Sequence, residues 1–113
     1  MLFRSTGTAM GKKVTALITD MNQPLGRSVG NALEVREALD ILEGQGPDDA
    51  QSLTITLAEH MLALAGISDA DPARALNDGS AMRKFREMVA CQGGDLDAGL
   101  PKAEKQKIGR AHV

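Results

Sequence analysis

Acidic and amide side chains gather where the chain leaves its most apolar N-terminal run. In Ile18 to Gly26, ITDMNQPLG, Asp20 is followed by Asn22 and Gln23 and then by Pro-Leu-Gly. A carboxylate at the carboxyl end of a buried segment is placed for general acid or base work. Its plainer role is to cap a turn by accepting from amides two residues on, and the residue types around Asp20 favour that role. Glu34 and Glu37 lie three apart, close enough on a helix to act as paired carboxylates. Glu34 is better explained as the partner of a helix N-terminus, and Glu37 by itself reads as a solvated acid beside Arg36.

The remaining reactive types carry less. His60 has no second histidine, cysteine or acid cluster at metal-ligand spacing and reads as a partly exposed helix residue. Cys91 is the single cysteine; without a histidine partner it behaves as a small hydrophobe. The six methionines fall at helical spacing and read as core filler. Gly26-x-x-x-Gly30 lacks the Lys-Ser/Thr that a phosphate-cradling loop requires and is a turn signal. Lys12-Lys13 and Arg83-Lys84 are short basic pairs on a solvated surface.

The elements that position these residues follow from patterning. Val14 to Met21, VTALITDM, is a nearly continuous apolar, β-branched run, too short for a helix. It reads as a strand buried on both faces, with its sheet partners outside this chain or in another copy. Asn22 to Gly30 is a loop broken by Pro24, Gly26 and Gly30. Asn31 is the expected cap of a helix reaching Glu43, with Val35, Ala38, Leu39 and Leu42 on one face. GQGPDDA is a turn. A second helix is expected from about Ala50 to Ala65, with Leu53, Leu57, Met61 and Leu64 in register, ended by Gly66. Asp71-Pro72 caps and opens a third. Asp78-Gly79 breaks it, and Ser80 to Cys91 resumes with Met82, Phe85, Met88 and Val89 as a stripe. The fold class expected is therefore an α/β fragment: one buried-type strand followed by three to four helices.

Bulk composition bounds the function. The chain has 113 residues, enough for one small domain, with 42% hydrophobic and 25% charged residues. Two phenylalanines and no tyrosine or tryptophan leave an aliphatic, methionine-bearing core. A net charge of −2 gives no electrostatic case for nucleic acid. No apolar run reaches the roughly 18 residues of a membrane helix, no signal peptide is visible, and a lone cysteine suits a reducing compartment, so a cytoplasmic protein is expected.

Both ends read as foreign. Met1 to Ser5, MLFRS, and the C-terminal IGRAHV resemble translated sequencing-adapter DNA. The expected division is thus a tail over 1–5, a partial domain over 6–106 and a tail over 107–113, with no chemistry assigned to Arg110 or His112.

At TALITDMNQPLGRSVGNALEVREAL the sequence resembles the thymidine and pyrimidine nucleoside phosphorylase family. The likeness continues through the L-x-G-x-G-P turn at Leu42 to Pro47, then LAEHMLALAG, then DGSAMRKFREMVACQGGD. It covers nearly all of 6–106 in order, and residues 18–37 are its most specific part. The resemblance implies a part of the large α/β domain of an enzyme that splits pyrimidine nucleosides with inorganic phosphate, giving free base and pentose 1-phosphate. It implies a homodimeric, cytoplasmic parent with no organic cofactor. The family's phosphate-binding segment and its base-gripping arginine, lysine and histidine precede the matching region, so the chain is expected to be inactive alone.

The resemblance also implies part of a potassium site, built from the carbonyls of Leu25 and Ser28 and the carboxylate of Glu37. Ser28 stands where better-known members have alanine, a change that a main-chain ligand tolerates. The other half of that site lies upstream, so weak ion binding or none is expected of the isolated segment. Two other readings stand beside this one: a related glycosyl-transfer enzyme, such as an AMP phosphorylase or an anthranilate phosphoribosyltransferase, and a non-enzymatic helical binding domain.

Overall fold

The computed structural model describes residues 2–101, and the expected tail over 107–113 lies outside them. Five helices follow in order: α1 (Leu2–Ala9), α2 (Asn31–Leu42), α3 (Asp48–Ala65), α4 (Pro72–Asn77) and α5 (Ser80–Cys91). There is no strand among the described residues, which corrects the expected α/β class. Val14 to Met21 runs without regular structure, and Ile18 is 97% and Met21 91% exposed. The physical reason is that strand character is not a local property. A single apolar run needs a neighbouring strand to pair with its N–H and C=O groups, and none lies alongside it among the described residues.

The helix boundaries are set by local chemistry. Gly30, with φ 126°, is the N-cap of α2, and Asn31 is its first helical residue; no side chain caps from Asn31. The Glu34 half of the expected reciprocal pair does form, because the Gly30 N–H donates to Glu34 Oε2 at 3.1 Å. α3 begins two residues before the expected start, drawing Asp48 and Asp49 into its first turn, where two negative charges complement the helix dipole. It stops at Gly66, which adopts φ 74° so that the Ile67 N–H can reach the Leu62 carbonyl at 2.9 Å. At α4 the Asp71 carboxylate accepts from the Arg74 N–H at 3.1 Å and Pro72 fills the first helical position. Asp78 accepts from the Ser80 N–H at 2.9 Å across the break into α5.

Packing joins α4 to α5, α3 to α4 and α2 to α5. Only Ala50, at 4% exposure, and Leu76, at 7%, are buried apolar side chains among the described residues. Among the described residues the helices therefore meet pairwise and share no enclosed core. An apolar groove of about 410 Å³ lies between α2, α3 and α4, walled by Leu42, Ile55, Leu62 and Leu76. No helix among the described residues is long and apolar enough to cross a membrane.

Candidate functional site

The loop from Asn22 to Gly30 is tied down almost entirely by carboxylates. At its start Asp20 Oδ1 accepts from the Asn22 N–H at 2.9 Å and from the Asn22 side-chain amide at 2.6 Å. Asp20 therefore closes its own turn, as its residue type favours. Further along, the Gly26 N–H donates to Asp49 Oδ2 at 3.1 Å, and the Arg27 N–H donates to Glu37 Oε2 at 2.9 Å. Asp49 comes from the first turn of α3 and Glu37 from the middle of α2. Two helices thus grip two successive amides of one loop.

Gly26 makes the grip possible. It adopts φ +72°, and a Cβ built there would collide with the Glu37 carboxylate. Glycine meets both demands, the left-handed backbone and the close approach. The Gly26 amide, first among several contacts, holds the Asp49 carboxyl below its ordinary value, with the Ala50 amide next.

Two of the residues expected as potassium ligands, Leu25 and Ser28, lie in this loop, and the third, Glu37, bonds to its Arg27 amide. Leu25 and Ser28 flank the Gly26–Arg27 pair, and Glu37 reaches in from α2 to Arg27. Leu25 is exposed, while Ser28 and Glu37 are half-buried. The donors available are carbonyl and carboxylate oxygens, which suit a hard cation. No three side chains of His, Cys, Asp or Glu converge among the described residues, so any site here draws on main-chain oxygens. His60 lies exposed on α3, and Cys91 is a free, exposed thiol at the end of α5.

Asp49 is the residue that sequence reasoning missed. The expected turn GQGPDDA includes it, whereas it stands in the first turn of α3. The available signal was the acidic pair directly after Pro47, which marks a helix start as well as a turn.

No family model matches the chain. Over 95 residues it is 59% identical to the thymidine phosphorylase of Mycobacterium tuberculosis, an alignment covering 84% of this chain and 22% of that protein. It is 48% identical over 95 residues to the pyrimidine-nucleoside phosphorylase of Geobacillus stearothermophilus, covering 79% of this chain and 22% of that enzyme. The Staphylococcus aureus enzyme of the same name is 47% identical over 95 residues. Over this span the chain is a homologue of the thymidine and pyrimidine-nucleoside phosphorylases.

The chain spans about a fifth of the length of these phosphorylases, 22% of each.

Proposed function

We propose that this chain is part of a pyrimidine nucleoside phosphorylase, a pentosyltransferase that cleaves thymidine or uridine with inorganic phosphate. The observation that carries the reading is the 59% identity to a protein named thymidine phosphorylase, sustained over 95 residues. Base departure in such a reaction needs donors to the base carbonyls, and phosphate needs cationic and amide donors. The amides of Gly26, Arg27 and Gly30 are already taken by carboxylates. The role assigned to this segment is accordingly structural support beside the reacting centre. The chain alone has no phosphorolytic activity.

The same reading gives the loop a monovalent cation, potassium, held by the Leu25 and Ser28 carbonyls and by Glu37, with further oxygens from the rest of the protein. The working parent is a cytoplasmic homodimer. The test is an assay of the whole protein for phosphate-dependent release of thymine from thymidine and uracil from uridine, with and without potassium. Release that requires phosphate supports the reading. Activity confined to adenine nucleotides or to anthranilate would overturn it.

A further inference from the structure

We propose that Asp49 is a positioning residue that orients the Leu25 carbonyl by holding the opposite end of the same peptide plane. A peptide unit is flat, and no cis peptide occurs among the described residues. The N–H of Gly26 and the C=O of Leu25 therefore belong to one rigid group and point in opposite directions. Asp49 accepts from that N–H at 3.1 Å across 23 residues of sequence. Fixing one end fixes the other.

The neighbouring plane is held in the same way. Glu37 accepts from the Arg27 N–H at 2.9 Å, so it fixes the Gly26 carbonyl. The two carboxylates come from different helices, α3 and α2, so the loop geometry reports how those helices sit beside each other. The left-handed Gly26 backbone between them lets both planes be gripped at once. The Gly26 amide is also the leading influence that lowers the Asp49 carboxyl, in keeping with a charged acceptor there. The clasp stands on these contacts alone. Its use in setting a cation ligand rests on the potassium reading above, and the two are separable by experiment.

The test uses the whole protein and follows amide exchange at Gly26 by NMR in potassium-free buffer. Asp49→Ala should speed exchange at Gly26 by about five- to tenfold, the scale of one lost hydrogen bond. Asp49→Asn keeps an acceptor oxygen and should stay within about twofold of the parent chain. Asp48→Ala removes a charge from the same helix turn and should leave Gly26 unchanged. Amides in the middle of α3 serve as the folding control. The proposal is overturned if Gly26 is unprotected in the parent chain, if Asp49→Ala does not accelerate it, or if Asp48→Ala accelerates it equally. Potassium chloride is then titrated into the whole protein, which supplies the remaining oxygens of the site, while the Leu25 carbonyl carbon is followed. A shift in the unsubstituted protein that Asp49→Ala weakens supports the ligand-setting role. No shift beside an intact exchange effect retires the potassium use and leaves the clasp standing.

Discussion

Asp49 accepts a hydrogen bond from the N–H of Gly26 at 3.1 Å, joining the first turn of α3 to a loop 23 residues earlier. This contact, with the Glu37 bond to Arg27, converts an exposed loop into a defined surface between two helices. The geometry of the candidate site depends on it more than on any buried side chain.

Gly26→Ala should damage that surface. The substitution forces a left-handed backbone on an L residue and drives a methyl group into the Glu37 carboxylate. The expected cost is about 1–2 kcal/mol, read as lost protection at the Arg27 amide. Gly66→Ala is the matched control. Gly66 also sits at φ 74°, but nothing lies within 4 Å of a Cβ there, so strain acts alone and the cost should be about 1 kcal/mol.

Asp78 gives a pH prediction at a distance from the loop. The Ser80 side chain, first, and the Ser80 amide hold its carboxyl below the ordinary value of 3.8. A group lowered in the folded state contributes stability above its unfolded value, and that contribution is lost as pH falls through the lower folded value. Helical signal in the parent chain should therefore decline through the acid range below about pH 4, by circular dichroism. Asp78→Asn should start less stable at neutral pH and show a shallower decline. An identical acid profile in both chains would contradict the assignment.

Asp71→Ala tests the short helix. Its carboxylate accepts the Arg74 N–H at 3.1 Å, and α4 has only six residues to sustain it. Loss of the cap should cost about 1 kcal/mol and fray α4 first, seen as faster exchange at Ala75 and Leu76. Exchange at the middle of α3 should be unchanged.

With only Ala50 and Leu76 buried among the described residues, the isolated chain should unfold gradually. A broad thermal transition with exposed apolar surface, read by dye binding, is the expected outcome. A sharp two-state urea transition would show a closed core that the packing of the helices does not provide.

Much of the helical architecture was legible in the residues. Gly44, Gly66 and Gly79 stop or separate helices, Asp71-Pro72 opens one, and each signal acts within a few residues, so sequence carries it directly. The strand reading at Val14 to Met21 failed for the opposite reason: its apolar, β-branched composition describes a burial partner, and the chain supplies none there. Asn31 failed by one residue, because glycine at position 30 takes the cap conformation without offering a side chain. Leu25, Ser28 and Glu37 were brought together by family resemblance, and the Arg27 to Glu37 bond joins their neighbourhood in space. The acidic pair after Pro47 marks Asp49 as a helix-start residue, but its bond to Gly26 was not legible, because that partner is 23 residues away, beyond any local pattern.

The most direct test of the central claim follows the fate of phosphate. The whole protein is incubated with thymidine or uridine and inorganic phosphate, and the products are read by phosphorus NMR. A pentose 1-phosphate resonance growing in step with free pyrimidine is the predicted result. Free pentose without a phosphate ester, or no cleavage of either nucleoside, would contradict the account.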